Sequence, residues 1–326
     1  MVPKVGGSNP LFHPGPIPAK KRGFFFDIMK RFWVYSGITL AMLFWSLSFV
    51  GYKVAYEYFE PMALIFLRMV ISAIFLTLVI KLSGSSQKIN RKDYGQFMLM
   101  AIFEPLLYFL GESYGMKLVT PTTGAVIVST IPLLAPVAAR LIFRERISWI
   151  KVAGIAVSFT GVLLVLLGKD LSLAASPTGV ALMMVAVLSA VSYSLIIAKL
   201  AIKYKPLTIV QIQSTLGALL FLPIFLLTDL KETIQIHPSW EAILPLLFLG
   251  IFPSSISFIF FTAAVREIGI TRANVFTNFI PVFTAIFSFF IWGETFTGTK
   301  LLGIPVVLAG LMLAQLTLKK KNLPER

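Results

Sequence analysis

Ten long apolar runs, joined by short polar connections, restrict this chain more than any single motif does. They lie near residues 34–56, 60–82, 94–117, 119–141, 147–168, 177–199, 206–228, 241–264, 270–292 and 298–318. A spanning α-helix needs about 20 consecutive apolar residues. Lipid offers no partner to a backbone N–H or C=O, so a segment crossing it must close its own hydrogen bonds as a helix or join a closed barrel. Barrel strands alternate apolar and polar residues over about ten positions, whereas these runs are continuous, so helices are the solution. A mean hydropathy of +0.87, with 57% hydrophobic and 13% charged residues, agrees. The chain is expected to be an all-α polytopic membrane protein with ten transmembrane helices.

The formal net charge of +15 suggests a nucleic-acid partner until its distribution is read. With ten spans both termini share one side. Of the 29 Lys and Arg residues, all but Lys53, Lys117, Lys169, Lys231, Lys300 and Arg68 fall on that side, and Arg68 lies inside an apolar run. This is the positive-inside pattern, so the basic residues report topology and anionic lipid rather than nucleic acid. It puts both termini in the cytoplasm and the chain in the plasma (inner) membrane. Residues 1–33 read as a Pro- and Gly-rich cytoplasmic tail ending in FFFDIMKRFW, a positive flank or an interfacial helix, and 319–326 as a basic cytoplasmic tail. The first apolar run is too long for a signal-peptide core. The chain has no Cys, and its two His residues, His13 and His237, stand apart. Disulfides, thiolate chemistry, metal sites and cofactors are therefore not expected; the oligomeric state is left open.

Laid on itself at an offset of 149 residues, the sequence pairs Pro132 with Pro281, Glu145 with Glu294, Gly154 with Gly303 and Gly161 with Gly310. Phe103 meets Phe252 and Thr122 meets Thr271 at the same offset, and Pro61 meets Pro206 at an offset of 145. Two five-helix halves, 34–168 and 177–318, explain the pattern. Because five is odd, the second half must enter the membrane in the opposite sense, which makes the halves inverted-topology repeats. Such an arrangement has two near-equivalent conformations, one open to each side, and points to a transporter of a small-molecule substrate. The phosphate loop of an ATP-driven pump, GxxxxGK[ST], does not occur. The connections also lack the clustered acids of a magnesium-dependent membrane enzyme, so the chain is not expected to be an enzyme.

The P…E…G…G order in both halves, together with FWSLSFVGYK at 44–53 and EPMALIFLRMVISA at 60–73, resembles the EamA repeats of the drug/metabolite transporter superfamily over roughly residues 34 to 318. The resemblance implies ten helices around a central cavity lined by the first, third and fourth helices of each half. It also implies a secondary carrier that exports small metabolites such as amino acids or amines. Glu145 and Glu294 match the loop glutamates of the family and are expected to cap the helix that follows each. Arg68 matches an arginine of the second helix and is expected to act as an anchor or ion-pair partner. The alternatives are a passive facilitator or channel, and a nucleotide-sugar or phosphate-ester exchanger; the latter would concentrate Lys or Arg at the midplane.

The stretch FMLMAIFEPLLYFLGESYGMKL, 97–118, carries acids where lipid would penalise them. Glu104, Tyr108 and Glu112 stand at i, i+4 and i+8, one stripe of a helix. A charged residue at the bilayer centre costs about 2.5–3.5 kcal/mol on insertion scales and normally faces the interior or water. The repeat sets Glu104 against Pro253, so IFEPLL in one half faces IFPSSI in the other, and Pro105 and Pro253 each interrupt a third helix. Each proline leaves a carbonyl, of Ala101 and of Leu249, without its usual N–H. Paired interruptions in inverted halves point to a midplane binding site. Glu112 either lines that site or pairs with Lys53 or Arg68. Glu104 has no evident cation at its depth and is read as a substrate or proton site, or as a protonated, hydrogen-bonded acid. Trp45, Ser48, Ser129, Tyr193, Asn274 and Asn278 are the candidates for stacking and hydrogen bonding. Gly154, Gly161, Gly303 and Gly310 are read as packing residues, since small side chains let helices approach in lipid.

Overall fold

Prolines set the starts of four helices. In the computed structural model, which describes residues 19–134, 149–166, 175–237 and 239–315, Pro61, Pro121, Pro177 and Pro206 each open a helix, preceded by an extended residue. Proline suits that position because its missing N–H would have no intrahelical acceptor there and its φ is already helical. In chain order the helices are α1 (Ala19–Ala55), α2 (Pro61–Ser83), α3 (Tyr94–Ala101), α4 (Tyr108–Leu118) and α5 (Pro121–Val128). Then come α6 (Trp149–Leu166), α7 (Pro177–Lys203), α8 (Pro206–Thr228), α9 (Trp240–Ile251), α10 (Ser257–Ile268), α11 (Ile270–Val275), α12 (Phe279–Phe287) and α13 (Gly298–Gln315). Residues 19–33, expected as tail and flank, continue the helix of the first crossing.

Among the described residues, seven stretches are long and apolar enough to cross a membrane: Arg31–Ala55, Pro61–Ser83, Arg91–Leu118, Pro177–Lys203, Pro206–Thr228, Trp240–Ile268 and Arg272–Trp292. Three shorter apolar helices, Pro121–Leu134, Val152–Leu166 and Gly298–Ala314, occupy the other expected runs. The chain is a multi-pass, all-helical membrane protein. The short helices border residues 135–148, 167–174 and 316–326, which lie outside the described residues, as does the expected cap Glu145.

Two antiparallel helix pairs organise the bundle. In the first, Phe66 of α2 stacks on Phe225 of α8 with ring centroids 4.5 Å apart, Ser72 meets Ser214 at 2.7 Å, and Gln211 donates to Thr77 at 3.3 Å. Each helix of this pair also caps the other. Asp229, just beyond α8, accepts the Ala63 N–H in the first turn of α2 at 2.9 Å. Gln87, beyond α2, accepts the Lys205 N–H at the start of α8 at 2.7 Å. The first-turn N–H groups of a helix have no intrahelical acceptor, so Asp229 meets a donor that burial would otherwise strand, while Gln87 meets the exposed N–H of the N-cap residue Lys205. In the second pair, α6 packs on α13 through the glycines: a Cβ on Gly310 would lie 2.3 Å from Ser158 N, and one on Gly161 2.5 Å from Val307 N. Only hydrogen fits between those backbones.

The third helix of each half is broken at the proline expected to interrupt it. Wide turns with i to i−5 bonding at Ile102–Leu107 and Phe252–Ile256 separate α3 from α4 and α9 from α10. The Tyr108 N–H reaches the Phe103 carbonyl and the Ser257 N–H the Phe252 carbonyl, the same bond at both repeat positions. Proline supplies the cause, because neither Pro105 nor Pro253 can donate to the ladder. The Leu249 carbonyl, expected to lack a partner, takes the Ser254 hydroxyl at 2.7 Å, and the Gly250 carbonyl takes that of Ser255 at 2.9 Å. In the first half Glu104 leaves helical geometry altogether (φ −144°, ψ 113°), and its peptide bond to Pro105 is cis.

Candidate functional site

The broken third helices meet at a central cavity of about 70 Å³, room for roughly two waters. α1 supplies Trp45, Ser48 and Phe49; the first wide turn and α4 supply Glu104, Tyr108, Phe109 and Glu112; α7 supplies Tyr193 and Ser194. Phe258 and Phe261 of α10, Asn274 of α11 and Thr277 just after it close the other side, and Arg68 enters from α2. Among the described residues the cavity therefore holds two acids and one base.

The base is committed to one acid. Arg68 is 2% exposed, and its Nη1 lies 3.9 Å from Oε2 of Glu112. Nη1 also donates to the Tyr52 hydroxyl, which in turn donates to Glu112 at 2.6 Å. Tyr108 donates to the other carboxylate oxygen at 2.9 Å. Nε of Arg68 donates to Ser254 at 2.9 Å, and the guanidinium lies 4.4 Å from the centre of the Phe109 ring. A buried ion pair persists only when hydrogen bonds meet the remaining lone pairs and protons, and this one is so supplied by both halves of the chain. Glu112 thus pairs with Arg68 and not with Lys53, whose Nζ instead donates to the Met116 carbonyl at 2.7 Å.

Glu104 differs. It is 5% exposed and lines the cavity, yet among the described residues neither of its oxygens is hydrogen-bonded. The charges acting on it are those of Glu112 and Arg68. Its departure from helical geometry also changes how it joins Tyr108 and Glu112: they share a cavity, not a continuous helical stripe.

Trp45 and Tyr193 line the cavity with their donors already engaged. The Trp45 N–H donates to the Pro253 carbonyl at 3.0 Å, and Tyr193 donates to Gln213 at 3.1 Å. Asn278 does not line the cavity. It ends the 3₁₀ turn Phe276–Asn278, and because residues three apart eclipse in such a turn, Thr277 follows Asn274 onto the cavity face while Asn278 rotates away. Ser129 is also turned aside, donating to the Val126 carbonyl at 2.7 Å.

The model of the EamA-like transporter family matches the chain twice, over residues 32–167 and 177–316. The chain belongs to the EamA-like transporter family. A protein of Archaeoglobus fulgidus named an uncharacterized transporter is 26% identical over 87% of this chain and 98% of its own length. YcxC of Bacillus subtilis, also named an uncharacterized transporter, is 23% identical over 85% of this chain and 91% of its own. A solved crystal structure superposes with a TM-score of 0.66 over 87% of this chain and 98% of its own at 17% identity, a likeness of fold. This EamA-like protein is accordingly a transporter and not an enzyme.

The loop glutamate Glu294 has a role other than capping the helix that follows it. α13 is capped by Thr297, whose hydroxyl accepts the Lys300 N–H at 3.3 Å. Glu294 instead crosses to the first half, accepting from the Thr122 hydroxyl at 2.8 Å and from the Thr122 N–H in the first turn of α5 at 3.4 Å. It also takes Ser288 at 2.5 Å and Lys300 at 2.8 Å. Burial works against its charge, but the hydrogen bonds from Lys300 and Ser288 and the Lys300 ammonium outweigh it and hold the carboxyl below the usual range. Tyr52, which links Arg68 to Glu112, escaped the sequence reading. Its signal was present: Trp45, Phe49 and Tyr52 stand at i, i+4 and i+7 on one face of α1.

Proposed function

We propose that this EamA-like protein is a secondary transporter that exports small metabolites bearing an ammonium group, such as amino acids and amines, by alternating access, with Glu104 as the site for substrate or proton. The observation that carries this reading is the charge balance of the cavity. Arg68 is held by Glu112, Tyr52 and Ser254, so Glu104 is left as a buried carboxylate facing open space with no hydrogen-bonded partner among the described residues. A buried carboxylate in that position is stabilised by a bound cation or a proton. A phosphate-ester exchanger would need a cation free to receive the ligand, and the arginine of this cavity is engaged. The aromatic faces of Trp45, Tyr193 and Phe258 suit a small organic solute whose charged end meets Glu104. The broken third helices and the paired halves support alternating access around this point. A cavity of about 70 Å³ is smaller than the roughly 300 Å³ of the smallest usual ligand pockets, so the bundle must widen on one side to load it.

Glu104→Gln keeps the shape of the side chain and removes its charge. In proteoliposomes the variant is expected to lose accumulation driven by an imposed pH gradient while remaining folded. Where the substrate ammonium contacts Glu104 directly, affinity falls as well, by about 1.5–3 kcal/mol. Wild-type gradient dependence together with wild-type affinity would overturn the reading.

A further inference from the structure

On the face of the bundle opposite the start of α1 and the end of α13 lies a second, roomier cavity of about 520 Å³. Lys53 near the end of α1, Lys117 near the end of α4, Thr120 and Thr123 at the start of α5, and Glu294 and Lys300 at the start of α13 line it. The charge pattern of the whole chain makes this unusual. The connections that hold few cations contribute Lys53, Lys117, Lys169, Lys231 and Lys300, and three of these line one cavity.

Their acidic partners do not neutralise the wall. Among the described residues Glu294 is the carboxylate that lines it, and it is engaged by Lys300 at 2.8 Å, Ser288 and Thr122. Lys117 reaches away to Glu60 at 2.5 Å, but both side chains are about half exposed, 45% and 53%, and solvent weakens such a pair. Lys53 donates to a neutral acceptor, the Met116 carbonyl, and the acid whose charge acts on it is Glu294. The positive end of the α5 dipole adds to the same space, with Thr120 accepting the Thr123 N–H at 3.3 Å.

We propose that this vestibule is a second binding site, for the carboxylate of a small organic anion or amino acid. Among the described residues three ammonium groups face Glu294, and Glu60 offsets Lys117 only in part, so the wall keeps an excess of between one and two positive charges, which suits a small anion. The cations are all lysines, point charges without the planar fork that grips phosphate in bidentate fashion, and Thr120 and Thr123 add hydroxyls. The inference rests on the vestibule and holds whether or not Glu104 couples protons.

The absence of native cysteine permits a direct test on the purified full-length chain. A single cysteine at Thr295, an exposed position lining the vestibule, is modified with negatively and positively charged methanethiosulfonates, and Gln235→Cys, on an exposed connection, serves as the reference. The ratio of anionic to cationic rates is expected to be about tenfold or more higher at 295 than at 235, and to fall toward the reference in Lys53→Gln. Millimolar acetate should slow the anionic reagent at 295, sodium chloride at equal ionic strength should not, and inorganic phosphate should protect less well than acetate. Equal ratios at the two positions, or chloride protecting as well as acetate, would overturn the site; phosphate protecting better would overturn its assignment to carboxylates. Should Lys53→Gln fail to fold, Lys117→Gln and the acetate series in the otherwise native chain decide the same question.

Discussion

Arg68 and Glu112 form a pair whose energetic value depends on keeping both. In isolation each would be a charge stranded in a buried wall, and removing one partner of a buried pair costs about 3–5 kcal/mol because the other is left uncompensated. Arg68→Met is therefore expected to destabilise the protein by about that amount, read as a lowered unfolding midpoint in detergent. The double variant Arg68→Met, Glu112→Gln should recover most of the loss, since the neutral amide keeps the hydroxyls of Tyr52 and Tyr108 supplied. A double variant as unstable as the single one would show that Arg68 works through packing on Phe109 alone. Glu294 makes a different prediction, in pH. Its carboxyl is held below the usual range in the fold and titrates near ~4.3 when unfolded. The stability it contributes is thus full above the unfolded value and is lost as pH falls through the lower folded one. Thermal unfolding of wild type and Glu294→Gln should differ at pH 7 and converge below about pH 4. A difference that persisted unchanged at low pH would remove the charge from the explanation.

At the scale of elements, prolines and glycines do opposite work at matched positions of the two halves. Pro105 and Pro253 open the third helices into wide turns, while Gly161 and Gly310 let α6 and α13 close on each other. Gly310→Ala would drive a methyl into the backbone of Ser158, which cannot rotate aside, and is expected to cost about 1–3 kcal/mol. Gly95→Ala, in α3 with nothing near the added carbon, should instead stabilise by up to about 1 kcal/mol; two equal melting shifts would count against the packing account. Both kinds of residue were legible in the sequence, because each acts through its own backbone chemistry. What was not legible was the consequence one step on. That Pro105 leaves Glu104 in extended geometry, and that Asn278 ends a 3₁₀ turn, follow from how neighbouring helices settle and not from local spacing. The partner of Glu294 was hidden for the same reason: Thr122 is 172 residues away, and only the assembled halves bring them together.

Across the whole molecule, the reciprocal caps of α2 and α8 bear on how the chain sits in a membrane. Asp229 on the start of α2 and Gln87 on the start of α8 are equivalent contacts at opposite ends of one antiparallel pair, as two halves inserted in opposite senses would produce. The charge pattern assigns these ends to opposite sides, with Arg91 and Lys92 beside the first connection and Lys231 beside the second. Cation-rich connections stay on the cytoplasmic side. The two ends should therefore report opposite compartments. Ser85 lies in the connection after α2, and Gln235 in the exposed connection after α8; neither takes part in the cavity or the vestibule. With no native cysteine to give background, single cysteines at these positions can be challenged in intact cells with an impermeant maleimide. Gln235→Cys is expected to react at once, and Ser85→Cys only after the cytoplasmic face is opened. Reaction of both from outside, or the reverse order, would rule out the arrangement with both termini in the cytoplasm. It would also move the lysine vestibule to the cytoplasmic face, where it would meet the solute before the central cavity did instead of after it.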